Sequence, residues 1–441
     1  MLERRMIRVL VPYSRTLYYN DKGRERGITA GLVRDFEKHL NKKYAGQLGK
    51  RPITVYIIPA ATRDVLISDV AKGLGDIAAG NLTETPARLK LVDFVAPKDR
   101  KPVRELVITG PSSPAIVSVD DLAGKRVHVR KSSSYYGSLS AVNARFKKAR
   151  KAAINLTPVP DALEDEDLLE MLNAGVLELI VVDDSKARAW AQVLPKITVT
   201  DVAVAEGGYT GWAIRKNQPK LAEAINDFYV NWAKKQGVID YRIAEHRKRI
   251  KQFTNNTVAE PWNRFEQMLQ LFEKYGAKYN FDPLMLAAQG YQESGLNQDT
   301  RSPAGAIGVM QIMPATGAEL KVGDIRILEP NIHAGAKYLD QLMTRYFAGA
   351  DFSEQNRALF ALASYNAGPG RMKQLRDVAR QRGLDPDEWF NNVEVVAAER
   401  VGIETTTYVR NIFKYYIAYK LQLEAFEKQR KAREQMTPGG R

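Results

Sequence analysis

From Ile7 to about Asp240, short apolar runs rich in β-branched residues alternate with stretches in which apolar positions recur every three to four residues. Ile7–Val11, Ile53–Ile58, Asp76–Ala79, Leu106–Thr109, Arg126–Val129, Leu179–Val182 and Tyr209–Ile214 read as strands. Leu32–Leu40, Thr62–Lys72, Ser138–Lys151, Glu164–Asn173 and Leu221–Lys235 read as helices between them. Strands and helices in that alternation predict mainly parallel, doubly wound α/β sheets, and the span suits two lobes. After Glu260 the strand pattern stops and helix punctuation replaces it. Asp282 before Pro283 is an N-cap with proline at the first helical position, and Gly295 can end that helix. Asn331 before Ile332, Ser353 before Glu354, and Thr405 before the apolar-periodic run to Phe426 give further helix starts. The predicted organisation is an α/β two-lobed domain at 1–246, a polar linker at 247–261, an all-α domain at 262–426 and a polar, frayed tail at 427–441.

Length and composition fit this division. The 441 residues are 44% hydrophobic and 27% charged, ordinary for globular protein and enough for two or three domains. No apolar run reaches the roughly 20 residues of a membrane-spanning helix. The net charge of +15 is concentrated, with +13 in residues 1–250 and +2 in 251–441. Lys and Arg are interspersed with acids and no RNA-binding motif accompanies them, so an anionic polymer or surface is as good a partner as nucleic acid. The absence of cysteine excludes disulfides, thiolate metal sites and cysteine nucleophiles. The first residues, MLERRMIRVLV, are basic but lack the apolar region and small-residue cleavage site of a signal peptide.

One block of the second half concentrates chemistry. Glu293-Ser294-Gly295 is followed by Ser302-Pro303-Ala304-Gly305-Ala306-Ile307-Gly308-Val309-Met310-Gln311. A glutamate near the end of an apolar helix loses solvation if it faces inward, and the higher pKa makes it a proton donor near neutral pH. Glycines at 305 and 308 allow backbone to approach a ligand, and Gln311 offers a donor and an acceptor toward a sugar. Taken alone, Glu293 reads first as a surface acid at a helix end.

Two later blocks change that balance: Ala363-Ser364-Tyr365-Asn366-Ala367-Gly368 and Glu404-Thr405-Thr406-Thr407-Tyr408-Val409. In order, the three blocks resemble the Slt-type lytic transglycosylase domain over about residues 262–425, which implies a lysozyme-like α fold. The resemblance implies that Glu293 is the catalytic acid/base. It also implies that Ser302, Gln311, Tyr365, Asn366 and Tyr408 line a sugar cleft with Met310 in its wall, and that Glu404 is structural. Leu296, Gln298 and Thr300 depart from the family's Phe, Pro and Ala. Glycosidases that use water need two carboxylates, and no second acid stands out here, Asp299 being the nearest. A lone Glu293 could protonate the oxygen leaving MurNAc and then take the proton of the sugar's own C6 hydroxyl, giving 1,6-anhydroMurNAc without cofactor or metal. An inactive, glycan-binding domain in a signalling protein and a water-using muramidase are the alternative readings.

In the first half, Gly80-Asn81-Leu82-Thr83-Glu84-Thr85-Pro86-Ala87-Arg88 would bring amide, hydroxyl and guanidinium groups to one point, a chemistry suited to a carboxylate. An N-capped helix with a solvated arginine reads equally well. This segment, with Asp121-Leu122-Ala123-Gly124-Lys125 leading to Ser132-Ser133-Ser134, resembles family-3 periplasmic solute-binding proteins over about residues 6–240. The resemblance implies a clamp for an amino acid or small peptide such as a muropeptide. Arg88 would hold the carboxylate, Asn81, Thr83 and Ser133 would surround the ligand, and Asp183 would hold the amine. Asp183 reads equally as a turn residue after its strand. The domain order is similar to the membrane-bound lytic transglycosylase F family. That similarity implies a peptidoglycan-cutting enzyme regulated by its clamp, in the periplasm and outer-membrane associated, whose export signal lies outside this sequence.

Overall fold

The computed structural model describes residues 2–60, 62–96, 102–250 and 262–436. The chain forms two compact units, Met1–Thr257 and Val258–Arg441.

The first unit holds two five-stranded sheets. In the first sheet the spatial order is Thr54–Ala60, Met6–Pro12, Ile77–Thr83, Thr210–Arg215, Val92–Val95. The order in the second is Thr198–Gly208, Val103–Thr109, Leu179–Asp183, Arg126–Arg130, Asn155–Val159. All seven strands read from the sequence are present. Four strands of each sheet run in one direction, as expected of mainly parallel sheets, and one runs against them: Thr210–Arg215 is antiparallel to both neighbours in the first sheet, and Val103–Thr109 is so in the second. The chain leaves the first sheet once and returns once, and the reversed strands, Val103–Thr109 and Thr210–Arg215, are the first ones entered after those two crossings. Val92–Val95, Asn155–Val159 and Thr198–Gly208 lack a clear alternation of apolar and polar residues and were not legible as strands.

Each sheet is covered by helices that bury one face. Phe36 of the Ile28–Lys43 helix meets Trp212 edge-on at 5.4 Å and Phe228 at 5.3 Å, closing the first core. In the second, Leu139, Val142 and Phe146 of the Ser134–Lys148 helix pack on Val107, Val127, Val129 and Val181. Both sets recur at the spacing of one helix face, which is why the helices were legible.

The second unit is helical: Trp262–Tyr279, Pro283–Ser294, Pro314–Leu320, Leu328–Tyr346, Glu354–Ala367, Pro369–Gln381, Glu394–Arg400 and Ile403–Met436. Asp282 caps the Pro283–Ser294 helix by accepting the Leu284 N–H at 2.8 Å, and Gly295 ends it in the left-handed conformation. Ser353 caps Glu354–Ala367 as expected. Two expected starts are displaced. Asn331 lies inside the Leu328–Tyr346 helix and Thr405 inside Ile403–Met436, because both side chains are used for tertiary hydrogen bonds. The last helix also continues through the expected tail as far as Met436. Most of the expected linker, 251–261, and residues 437–441 lie outside the described residues.

Candidate active site and ligand-binding cleft

The loop between Gly295 and Pro314 is held from below. Asn331, fully buried, donates to the carbonyls of Ile307 at 2.8 Å and Ile325 at 2.9 Å and accepts the Met310 N–H at 2.8 Å. Gln298, a departure from the family pattern, accepts the Val309 N–H at 3.1 Å and donates to Ile325 at 3.0 Å, so its amide bridges two loops. Gly308 sits between these amides with φ of 78°, where a Cβ would meet Asn331 at 2.5 Å and Gln298 at 2.6 Å. Its freedom therefore serves packing of the loop and not approach to a ligand.

Three expected site residues lie in this loop, and the structure corrects one of them. Met310 is fully buried against Gly335 and Gly290, so its side chain is core and only its carbonyl, which accepts the Tyr365 hydroxyl at 2.6 Å, belongs to the site. Gln311 gives its amide hydrogens to the carbonyls of Gly308 at 2.8 Å and Thr300 at 3.3 Å. Ser302 accepts the Ala306 N–H at 3.0 Å. The donors of Gln311 and one acceptor position of Ser302 thus serve the loop itself, because a run this rich in turns must satisfy its backbone locally, while the Gln311 carbonyl and the Ser302 O–H stay available.

Three helices converge on Glu293. It lies in the last turn of Pro283–Ser294, partly exposed, and its Oε1 accepts the Tyr408 hydroxyl of the Ile403–Met436 helix at 2.6 Å. Burial raises its pKa, and the Tyr408 hydrogen bond, which favours the charged form, pulls in the other direction. No second carboxylate contributes to that shift. Tyr365, from Glu354–Ala367, lies close enough for the Glu293 charge to raise its pKa further after burial has raised it, as happens at Tyr408. Asn366 is exposed at the same helix end and accepts the Thr405 hydroxyl at 2.8 Å. Asp299 is exposed on the loop and Glu404 is exposed on its helix. The arrangement provides one desolvated carboxylic acid held at one oxygen by a phenol, with its other oxygen available for proton transfer.

Gln289 was not legible as a site residue. It is fully buried one turn before Glu293, and neither amide atom has a partner at hydrogen-bond distance, although its amide lies near enough to Tyr408 to lower that phenol's pKa. A polar side chain directly after the apolar run Leu284 to Ala288, inside the same helix, was the available signal.

In the first unit the expected ligand residues meet in two pairs, Asn81 with Asp183 and Arg88 with Thr83. Asn81, at a positive φ of 52°, donates across to Asp183 at 2.8 Å. Arg88 turns back to donate to the Thr83 carbonyl at 2.8 Å. Burial and the neighbouring Arg63 lower its pKa, an electrostatic setting that favours an anion beside it. Ser133 caps the Ser134–Lys148 helix by accepting the Tyr136 N–H and donates to the Arg130 carbonyl at 2.8 Å, so its hydroxyl is structural here. Nothing in the linear pattern signals that the acidic helix Asp165–Asn173 is buried, since acids in a first turn usually face water. Arg15 reaches its Asp167 at 2.9 Å and Glu170 at 3.0 Å, Ser14 reaches Glu166 at 2.8 Å, and Arg63 reaches Glu164 at 2.7 Å. Arg130 and Lys186 pair with Asp165 from the other side. The two lobes are thus tied by buried ion pairs. Beside Asn81 lies a cavity of about 400 Å³, with Leu17, Trp190, Trp212 and Ile243 in its wall.

The family model of bacterial extracellular solute-binding proteins, family 3, matches residues 7–242, more than half of the sequence, and the chain belongs to that family. A second model, the transglycosylase SLT domain, matches residues 270–387, so the unit that contains Glu293 is an SLT domain. Along most of its length the chain is similar to proteins named membrane-bound lytic murein transglycosylase F. The one from Desulfosudis oleivorans is 29% identical over 86% of this chain and 84% of its own length. That from Pseudomonas fluorescens is 27% identical over 93% of this chain and 84% of its own. Among solved structures, an amino acid ABC transporter substrate-binding protein from Streptococcus pneumoniae is 20% identical, covering 56% of this chain and 96% of that chain with a TM-score of 0.43.

Proposed function

We propose that this protein is a murein lytic transglycosylase that cleaves the MurNAc-β-1,4-GlcNAc bond and closes the MurNAc on its own C6 hydroxyl. The observation that carries the reading is Glu293, a single desolvated carboxylic acid hydrogen-bonded to Tyr408 with no second carboxylate acting on it. Its raised pKa keeps a proton available for the glycosidic oxygen as the bond to MurNAc breaks. The resulting carboxylate, favoured by Tyr408, then takes the C6 hydroxyl proton as that oxygen bonds to C1. Atoms balance without water, which is why one acid is enough. Asn366 at the open helix end and the partly exposed Tyr408 and Tyr365 are the groups placed to meet sugar. The transglycosylase names of the relatives and the SLT match support the same chemistry.

The solute-binding unit is proposed to bind an amino acid or peptide fragment of the wall, with its carboxylate at Arg88 and its amine at Asp183, and to adjust the cleavage rate. The names of the relatives and the extracellular solute-binding family support a place in the cell envelope, in the periplasm and at a membrane surface. Among the described residues no helix is long and apolar enough to cross a membrane.

Mass spectrometry of the products from purified murein tests the chemistry. Fragments ending in 1,6-anhydroMurNAc are expected, and Glu293→Gln should abolish their formation while glycan binding persists. Reducing-end MurNAc as the main product would favour a water-using muramidase, and binding without any cleavage would favour an inactive glycan-binding domain.

A further inference from the structure

Gln289 and Glu293 lie one turn apart on the Pro283–Ser294 helix, and helical residues four apart stand one above the other on the same face. Two contacts fix this helix against Ile403–Met436: Tyr408 donates to Oε1 of Glu293 at 2.6 Å, and Tyr415 meets Tyr291 edge-on at 4.5 Å. Glu293 is partly exposed at the site, whereas Gln289 is fully buried and neither its Oε1 nor its Nε2 has a hydrogen-bond partner. An amide buried in that way weakens a fold, and an apolar side chain of the same length would not. The residues before it, Leu284 to Ala288, are all buried and apolar, so packing gives no reason for an amide there. Tyr408 does. Burial and the charge of Glu293 raise the pKa of its phenol, and the Gln289 amide acts against them.

We propose that Gln289 is a positioning residue for the acid: its amide N–H turns onto the oxygen of the Tyr408 hydroxyl as that hydroxyl donates to Glu293. A phenol oxygen that accepts a hydrogen bond becomes a stronger donor through its own O–H, because successive hydrogen bonds polarise one another. The carboxylate left when Glu293 gives up its proton is then supported by two groups in line. Gln289 itself meets no sugar, since none of its surface is exposed. Among the described residues, Tyr408 and Tyr365 are the titratable groups that feel the Glu293 charge. The charged groups on the other elements at this helix end are turned elsewhere: Arg264 donates to the Gly295 carbonyl at 3.2 Å, Arg301 donates to the carbonyls of Gln298 and Thr300 at 2.9 Å, and Glu404 is exposed. The proposal rests on the reading of Glu293 as the acid and adds Gln289 behind Tyr408.

Gln289→Met keeps the length of the side chain and removes both polar atoms, and Gln289→Leu is a second apolar replacement that should behave alike. In full-length protein carrying ¹³C at the glutamate side-chain carboxyls, NMR follows the titration of Glu293 without any turnover, the signal being assigned by its loss in Glu293→Gln. That titration should move to higher pH in Gln289→Met, because a support of the carboxylate is gone. On a soluble glycan kcat should fall about 2- to 10-fold, the range of one neutral hydrogen bond, with KM unchanged and the alkaline limb moved the same way. The thermal midpoint should be equal or higher, since an unpartnered amide leaves the core. In the Tyr408→Phe background, where the phenol oxygen is missing, Gln289→Met should change neither the titration nor the rate further. An unmoved Glu293 titration, or the same shift with Tyr408 already replaced, overturns the proposal. A lower midpoint and lower kcat with an unmoved titration would also overturn it and leave Gln289 a packing residue. If wild type cuts no glycan while the titration moves as expected, the reading of Glu293 as the acid of a transglycosylase falls and the link from Gln289 through Tyr408 to Glu293 stands.

Discussion

The Tyr408 hydroxyl donates to Oε1 of Glu293 at 2.6 Å across 115 positions of sequence, joining the last turn of one helix to the first turns of another. Because Tyr408 holds one carboxylate oxygen, the proton of the neutral acid is confined to the other, which in the proposed reaction sets the direction of proton transfer before substrate arrives. The phenol also limits how far burial can raise the pKa of Glu293.

Replacement of Tyr408 by Phe should therefore do two things. Loss of a hydrogen bond to a charged group should lower turnover about 10- to 100-fold. Removing a donor that favours the charged form should raise the Glu293 pKa beyond its present elevated value, so the alkaline limb of the rate profile should move to higher pH. Measuring kcat against pH for both proteins checks this, and an alkaline limb that stays put would show that Tyr408 does not act on the ionisation of Glu293.

Gly308→Ala should damage the loop even though Gly308 touches no substrate group. A left-handed alanine is disfavoured by about 1 to 2 kcal/mol, and the collision with Asn331 and Gln298 adds about 1 to 3 kcal/mol. Urea unfolding should report a loss in that summed range, with reduced activity because the Met310 carbonyl that holds Tyr365 moves. Gly305→Ala, where no atom lies within 4 Å of the added carbon, should be felt only through its positive φ.

Arg15→Ala should loosen the clamp. It removes a buried cation that pairs with both Asp167 and Glu170, and breaking a buried pair typically costs about 3 to 5 kcal/mol. Because Arg15 belongs to the first lobe and both acids to the second, amide hydrogen exchange should rise in the Asp165–Asn173 helix as well as around residues 14–18. Protection confined to wild-type levels in that helix would mean that the ion pairs do not hold the lobes.

Burial raises the Asp183 pKa to about 6. A folded-state pKa above the unfolded value means that its favourable contribution is complete below about pH 4 and is lost as pH rises through about 6. The difference amounts to about 3 kcal/mol. Asp183→Asn should flatten the stability of the first unit between pH 4 and 7, and chemical unfolding across that range measures it.

If the clamp regulates cleavage, a saturating ligand should change the rate on a soluble glycan by about 5- to 150-fold, the usual span of coupling energies, most simply upward. Arg88→Ala should erase the response and leave basal activity intact. An unchanged wild-type rate at saturation would reduce the clamp to a device for localising the enzyme on murein.

The linear pattern by itself determined most of the main elements. Apolar spacing defined seven strands and the main helices, since burying one face imposes a period that can be read from the chain. Asp282-Pro283 and Ser353 announced their helices because a cap acts within a few residues. The three motif blocks, through their resemblance to the Slt-type domain, singled out Glu293, Tyr365, Asn366 and Tyr408 as candidates. Only the tertiary structure decided what lies opposite what. Met310 became core, and Ser302, Gln311 and Asn331 became ties of the loop, because their partners come from other turns and helices. The acids at 164–170 look solvated in sequence, and burial became tolerable only once Arg15, Arg63, Arg130 and Lys186 arrived from distant segments. Asp183 is set beside Glu105 by strand register, and register is a property of the sheet and not of either strand.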